Sequence, residues 1–339
     1  MSKKLHDGFW LGVDVAKAKV DVSVAGMDTR TSEWARLPVK TFSMNQDGIT
    51  ALAQWIESML CFGPCRGVCM ESTGIYSLRF VESIDFMALP EASIINPALA
   101  VAFRKSIGLR DKCDRVDAAV LALYGVVHRP RANAKKDEIY MRLRALWRLH
   151  EDVNDDLLAW NNRLEQTQDD SVREILIQTI NHLEEQAKHI WKQMKLWIAK
   201  NESLQKDAKL IQSIPGVGEK ITMMVLSEYG DLRLWRRNQV IAYAGLYPKV
   251  FLSGDTVALP PRLARGGGAR IRKTLYMPAC GLMRMDSAVA RWGSQLRDRG
   301  KSKMCSIGAM MRKQLLVIRG VVVSGKKFQD NHVPTPQTT

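Results

Sequence analysis

The chain has 339 residues, 46% of them apolar and 25% charged, which is the composition of a globular protein with room for two or three domains. It has no run of about 18 apolar residues, which excludes a membrane-spanning helix. Residues 1–6 lack the apolar core of a signal peptide. We therefore expect a cytoplasmic protein with no membrane partner.

Six cysteines in a chain of this length do not make a disulfide framework. Cys61, Cys65 and Cys69 are evenly spaced, but no nearby His or CxxC pair completes a tetrahedral zinc set. We expect reduced thiols that pack as small apolar side chains.

The formal net charge of +15 is concentrated in one segment. Residues 231–327 carry 20 Lys and Arg against 4 Asp and Glu, so the rest of the chain is close to neutral. A basic surplus confined to one segment indicates a polyanionic partner there. Membrane binding is disfavoured because the segment has Gly-rich loops and no sustained basic amphipathic helix.

Residues 8–133 alternate between strand and helix patterns and form the first predicted domain. Apolar residues at helical spacing predict a helix over 46–59, and a second helix is predicted through 117–124. Strands are predicted at 9–14, 19–25, 37–42, 67–71 and 92–95. Three early strands followed by strand–helix repeats predict an α/β domain with a mixed sheet covered by helices.

Residues 134–205 are predicted to form a helical linker. Apolar residues step by three and four from Leu146 to Leu164, and again from Leu176 to Trp197, which is the heptad seam of two long helices joined near 166–171. An antiparallel hairpin or a coiled coil with another subunit explains the pattern, and the Trp residues on the seam are expected to be packing residues.

Residues 206–327 form a third predicted domain, which is mainly α-helical. The tail, residues 328–339, is polar and Pro-rich and is predicted to be disordered.

Four acids recur at the ends of predicted elements in the first domain. Asp14 ends the first strand, Glu71 ends a buried strand, and Asp114 and Asp117 open a helix three residues apart, which places them on one helix face. A single acid here is explained by a helix cap or turn. The four together predict a Mg²⁺ site, with room for two metal ions, on a ribonuclease H-like sheet.

The stretch from Ser213 to Lys220 contains a Pro-Gly-x-Gly sequence that opens a helix. Free backbone N–H groups and the helix dipole make such a turn a seat for phosphate. It resembles the helix-hairpin-helix element of DNA repair and recombination proteins. Gly216, Gly218 and Lys220 are the expected backbone contacts; a tight turn without a ligand is the alternative.

A Ser-Gly pair at Ser253 lies before a cluster of basic residues. Arginines can bind a phosphodiester bidentately, and a serine hydroxyl can attack phosphorus. Composition alone does not distinguish a catalytic serine from an ordinary Ser-Gly loop. The cluster comprises Arg262, Arg265, Arg270, Arg272 and Lys273.

Together these stretches resemble the compact DEDD transposases of the one-ten and eleven-eleven insertion-sequence families, known as RNA-guided bridge or seeker recombinases. The resemblance runs in order from residue 9 to about 325. It is carried by residues 12–17, 71–74, 95–97, 112–118, 213–220, 244–246, 253–254, 275–279 and 308–312.

The resemblance implies a RuvC-like DEDD domain, a coiled-coil linker and a transposase domain in which Ser253 becomes linked to a DNA 5′-phosphate. It also implies a structured noncoding RNA that pairs with double-stranded donor and target DNA, and a dimer or tetramer with composite active sites. Such a protein acts on the nucleoid in the cytoplasm. The sequence departs from the family at 255–261 and at Arg265, where a Lys is frequent.

Three other readings remain open. A RuvC-like junction resolvase uses metal-activated water and forms no covalent adduct. An actin-like or sugar-kinase ATPase is disfavoured because Val-Ala-Lys follows Asp14 instead of a glycine-containing phosphate loop. A nucleic-acid scaffold without catalysis leaves the four acids unexplained, since carboxylates repel DNA unless a metal offsets them.

Overall fold

The computed structural model describes residues 7–30, 32–33, 37–72, 74–84, 86–87, 89–109, 114–132, 137–253, 257–264, 267–284 and 288–329, with backbone alone at 75, 78, 114–115, 250–253, 257–261 and 288–290. The chain forms two compact units, residues 1–135 and 136–339. No helix in the described ranges is both long and apolar enough to cross a bilayer.

The first unit is built on a mixed five-stranded sheet in the order β3-β2-β1-β4-β5. β1 pairs antiparallel with β2 and parallel with β4, so it lies at the centre. All five predicted strands are confirmed, although the third begins at Val39 and not at Leu37. The strands are β1 Phe9–Val15, β2 Lys19–Gly26, β3 Val39–Ser43, β4 Cys65–Glu71 and β5 Ala92–Ile95.

Helices cover both faces of this sheet, as the strand–helix repeats predicted. α1, capped by Asn45, and α2 pack on the face that contains Leu11 and Val13. α3 and α4 pack on the face that contains Trp10 and Cys69. The helices are α1 Gln46–Leu60, α2 Ile75–Ser83, α3 Pro97–Ser106 and α4 Asp114–His128.

The second unit is mostly helical and opens with the predicted pair of long helices. α5 Glu138–Gln166 and α6 Asp170–Lys200 pack antiparallel, and Asp169 caps the start of α6 by accepting bonds from the N–H groups of Ser171 and Val172. The seam predicted from the heptads is the face that packs, since its residues are buried or partly buried.

The remaining elements complete this unit, and α12 contributes apolar side chains to the largest core among the described residues. They are α7 Glu202–Gln212, α8 Glu219–Tyr229, α9 Arg237–Ala244, the antiparallel strands β6 Pro248–Ser253 and β7 Val257–Leu263, α10 Ala269–Leu282, α11 Ala288–Asp298 and α12 Lys303–Ser324.

The base of the α5–α6 hairpin belongs to the same core as α8 and α12. Leu143 and Trp147 of α5 and Met194 of α6 are fully buried there. The predicted boundary at 205/206 between linker and C-terminal domain therefore falls inside one compact unit and stays a prediction.

A buried carboxylate fastens α5 to the C-terminal helices. Glu228 of α8 is 6% exposed and accepts hydrogen bonds at 3.3 Å from Arg144 and Arg148 of α5 and from the Tyr243 hydroxyl of α9. A buried charge is tolerated when it is paired and hydrogen-bonded. This network fixes the base of the hairpin relative to α8 and α9.

The predicted disordered tail lies almost wholly outside the described residues. Residues 328 and 329 are described. The Phe328 N–H donates to the Ser213 hydroxyl at 2.9 Å, and the Phe328 ring packs against the core.

We predict that Gly12→Ala destabilises the first unit by about 1–3 kcal/mol, because a Cβ at this position would overlap the backbone of Ala118 and Ala122 in α4. Urea unfolding followed by circular dichroism measures the change.

Gly320→Ala is the matched control, because a Cβ at that exposed helical position meets no atom within 4 Å. It should be neutral or stabilising by about 0.5–1 kcal/mol. Equal stability of Gly12→Ala and the native chain would contradict the close packing of β1 on α4.

Candidate functional site

Asp14 lies at the carboxyl end of the central strand. β1 is buried at every position except Asp14, which is partly exposed. Side chains alternate along a strand, so Asp14 shares a face with Trp10 and Gly12, the face that α4 covers. Glu71 ends the parallel neighbour β4. It lies two residues after Cys69, which pairs with Gly12, so Glu71 is on the same face as Asp14. Both acids therefore emerge at one edge of the sheet.

The direction of α4 brings its first turn to this edge. Trp10 lies against Gly125, whereas Gly12, two residues further along β1, lies against Ala118 and Ala122. α4 therefore runs antiparallel to β1. One more step of two residues along the strand, to Asp14, corresponds to the start of α4, where Asp114 and Asp117 stand.

Glu71 and Asp117 line one pocket with Arg104 of α3. The remaining lining is Ala100, Val101, Val120 and Leu121. The Arg104 Nη1 atom lies 2.7 Å from Asp117 Oδ1, and the two side chains are 14% and 15% exposed. The structure thus brings together two of the four predicted acids and adds a cation that sequence reasoning did not identify.

The metal-ligand set is incomplete in the described part of the chain. Among those residues, no three His, Cys, Asp or Glu side chains are arranged to hold a metal ion. Asp114 is the first residue of α4, and its side chain lies outside the described residues. The carboxylate oxygens at this edge are the atom type that Mg²⁺ prefers.

The predicted phosphate turn joins α7 to α8. Gly216 has φ = 75°, a conformation that favours glycine, and Gly218 caps α8 without a side-chain hydrogen bond. A Cβ at Gly218 would meet no atom within 4 Å, so this end of the helix is open. Lys220 Nζ lies 3.5 Å from a carboxylate oxygen of Glu151 in α5.

Two further cations of the predicted nucleic-acid surface also pair with α5. Arg270 lies 2.5 Å from Asp152, and Lys273 pairs with Asp155. With Lys220 and Glu151, this makes three ion pairs in which an acid of α5 meets a cation of α8 or α10. We call Glu151, Asp152 and Asp155 the α5 acidic strip.

Glu151 is the buried member of the strip, with 1% of its surface exposed. Burial raises the pKa of its carboxyl, but the nearby His150 imidazole and the ammonium groups of Lys220 and Lys273 outweigh burial, so the pKa lies below its usual value. Glu151 is therefore ionised at neutral pH and attracts Lys220.

The other predicted basic residues have different settings. The Arg272 guanidinium donates to the backbone carbonyls of Ala244 at 2.9 Å and Gly267 at 2.5 Å, which ties the loop before α10 to the end of α9. Arg262 is exposed on β7, opposite Lys249. Arg265 lies outside the described residues.

Ser253 is the last residue of β6 and pairs with Val257 of β7. Its side chain, and residues 254–256 after it, lie outside the described residues. The backbone places the serine at the tip of a two-stranded hairpin.

Sequence reasoning missed Arg104 and the α5 acidic strip. The sequence signal for Arg104 was weak. Asn96 and Pro97 mark a helix start directly after a strand, and Arg104 lies in the last turn of that helix. The α5 acidic strip also had a weak signal in the sequence. Acids on one face of a helix are expected to pair with cations of the same molecule when the chain has a net charge of +15.

Two family models match the chain. One, described as a transposase of the DEDD IS110 type, matches residues 11–171, which include Asp14, Glu71, Asp114 and Asp117. The other, described as "Transposase IS116/IS110/IS902 family", matches residues 208–292, which include Ser253.

The chain is also similar to curated proteins. It is 28% identical over 331 residues to the pilin gene-inverting proteins of Moraxella bovis and of Moraxella lacunata, and each match covers 94% of this chain and 97% of the relative. It is 25% identical over 126 residues to the "Insertion element IS110 uncharacterized 43.6 kDa protein" of Streptomyces coelicolor, covering 37% of this chain and 31% of that protein.

Proposed function

We propose that this chain, which belongs to the IS110 family of transposases and is a DNA recombination enzyme, cleaves and rejoins DNA strands by using acids of its first unit and a serine of its second. The observation that carries the proposal is the packing of Gly12 on α4, which directs Asp14, Glu71 and the start of α4 to one edge of the sheet.

The first unit is proposed to be a RuvC-like domain. A central β1 with an antiparallel meander on one side and parallel, helix-connected strands on the other supports this assignment. Asp14, Glu71, Asp114 and Asp117 would hold the divalent cations. When bound, Mg²⁺ would stabilise charge on the scissile phosphate and favour ionisation of the attacking hydroxyl.

Ser253 is proposed as the nucleophile. Its Oγ attacks the phosphorus, a new P–O bond forms, and the bond to the DNA 3′-oxygen breaks, which leaves a 3′-hydroxyl and a 5′-phosphoserine. The serine proton ends on the leaving 3′-oxygen. Attack by another 3′-hydroxyl reverses these changes, so rejoining conserves the phosphodiester energy and needs no nucleotide cofactor.

The turn between α7 and α8 is proposed to act as a helix-hairpin-helix element that holds the DNA backbone. The open N-terminus of α8 offers N–H groups from Gly218 onwards, and the turn at Gly216 presents them. Lys220, Arg262, Arg265, Arg270 and Lys273 would supply the cations. Arg272 would act by holding the loop before α10 in place.

The α5 acidic strip does not prevent this role. Arg270 is 40% exposed and Lys273 54%, and exposed ion pairs are worth at most about 1 kcal/mol. DNA phosphates can therefore replace Asp152 and Asp155 as partners. The strip then reduces binding to arbitrary DNA, because each cation must first leave a carboxylate.

The resemblance to bridge-RNA recombinases further supports guidance by a structured noncoding RNA, which would pair with donor and target DNA while the protein contacts backbones and shape. It also supports a dimer or tetramer in which the acids of one subunit meet the serine of another. The enzyme would then act on the bacterial nucleoid.

DNA inversion is a second candidate outcome of the same chemistry. It is favoured by the match to proteins named for inverting a pilin gene, which spans nearly the whole length of both chains. Cleavage and rejoining insert, excise or invert a segment according to how the two DNA sites are arranged, so the proposed residue roles are unchanged.

We predict that Ser253→Ala abolishes a denaturation-resistant protein–DNA adduct on element-end DNA, and that Asp14→Asn lowers adduct formation at least about 100-fold. Gel analysis with end-labelled DNA and Mg²⁺, in the presence of RNA that co-purifies with the protein, measures the adduct. Ser294→Ala, at another serine of the second unit, is the control and should behave like the native protein.

Strand cleavage that persists in Ser253→Ala without any adduct would favour a RuvC-like junction resolvase, which attacks with water. Adduct formation that survives in Asp14→Asn or in EDTA would remove the role of the acids.

We predict that the double variant Asp152→Asn, Asp155→Asn binds random-sequence duplex DNA about five- to tenfold more tightly at 0.1 M salt, because Arg270 and Lys273 lose their internal partners. Fluorescence anisotropy with a labelled duplex measures the dissociation constant.

The control is Glu174→Gln with Glu185→Gln, which removes the same net charge from exposed positions of α6. It should change the affinity by less than about twofold. Equal tightening in both double variants would show that net charge alone, and not the α5 acidic strip, governs DNA binding.

A further inference from the structure

Arg104 has a fixed place beside the acidic edge of the sheet. Its helix, α3, begins at Pro97, and the side chain of the preceding Asn96 caps it by accepting a hydrogen bond from the Ala98 N–H. The neighbouring Phe103 packs edge-to-face on Tyr124 of α4, with ring centroids 5.3 Å apart. This contact holds the last turn of α3 against α4, so Arg104 meets Asp117.

The ion pair between Arg104 and Asp117 is partly shielded from water. The side chains are 14% and 15% exposed, and four of the seven residues that line their pocket are apolar. Charges attract more strongly where water is partly excluded, and a charge left without its partner there is costly. The attraction between the two charges is therefore stronger than in the exposed pairs on α5, and the removal of one partner leaves a costly unpaired charge.

The same pocket contains Glu71, which is one of the acids proposed to bind metal. Arg104 thus brings a positive charge into the place where the proposed function requires a divalent cation. The Arg104 guanidinium, 2.7 Å from Asp117 Oδ1, occupies one acceptor position of this carboxylate, and its positive charge repels a divalent cation at the same group.

We propose that Arg104 is a positioning residue that acts as the internal counter-cation of the metal site. It holds the Asp117 carboxylate in the metal-free enzyme and competes with the metal for it, so that it sets the metal concentration at which the site fills. This inference rests on the proposed metal-binding role of Glu71 and Asp117.

The proposal predicts opposite changes in stability and in metal affinity. Removal of the guanidinium leaves Asp117 and Glu71 near each other without a positive charge, which should lower the melting temperature of the metal-free protein. The same removal eliminates the competitor, so metal should bind more tightly. A residue that only supports the structure would lower both the stability and the affinity.

The test compares Arg104→Gln, Arg104→Lys and the native protein by isothermal titration with Mn²⁺ and by thermal unfolding in EDTA. Arg104→Gln should lower the Mn²⁺ dissociation constant about three- to tenfold and lower the melting temperature in EDTA. Arg104→Lys, which keeps the charge, should stay close to the native protein in both measurements.

Lys105→Gln is the matched control, because it removes the same charge from the adjacent, exposed residue. It should leave both the affinity and the melting temperature unchanged. Unchanged or weaker Mn²⁺ binding in Arg104→Gln would overturn the inference, as would equal tightening in Lys105→Gln.

Glu71→Gln and Asp117→Asn separate this inference from the proposed function. If the native protein binds Mn²⁺ and these two variants do not, the metal site stands and Arg104→Gln decides the inference alone. If the native protein shows no saturable binding, or the two variants bind normally, the proposed metal site fails, and the inference fails with it.

Discussion

The contact between Gly12 and α4 is the constraint on which the proposed active site depends. Because position 12 has no side chain, the backbone of α4 at Ala118 and Ala122 can lie directly on the central strand. That approach fixes both the height and the direction of the helix over the sheet. Asp14 and Glu71 at the strand ends and Asp117 on the helix are thereby directed to one edge, although more than 100 residues separate the first acid from the last.

Charge pairing appears in both units and has the same physical meaning in each. In the first unit Arg104 neutralises Asp117, and in the second the α5 acidic strip pairs with Lys220, Arg270 and Lys273. At the proposed metal site and the proposed DNA surface, the free protein would otherwise carry like charges without counter-charges. Internal partners reduce that repulsion, and they can be displaced when the external partner supplies a stronger or more numerous interaction.

The sequence predicted the elements of the fold more completely than their contacts. The apolar run of β1 and the heptads from Leu146 to Trp197 are local patterns, and the structure confirms the strands and the helical pair. The predicted start of the third strand at Leu37 was wrong, because the end of a strand depends on pairing and the pairing with β2 begins at Val39. The partners of Arg104 and Lys220 could not be read from the sequence, because they depend on how α3 packs on α4 and how α5 packs on α8. The role of the Ser253 hydroxyl as the nucleophile stays a prediction, as does its approach to the four acids.

The most direct test of the central claim is to locate manganese by its anomalous scattering in crystals of the protein grown with Mn²⁺. The account predicts a peak at the carboxyl edge of β1 and β4, with Asp14, Glu71 and Asp117 among its ligands and Arg104 moved away from the Asp117 oxygen. A peak elsewhere, or none at that edge under conditions in which the enzyme cleaves DNA, would contradict it.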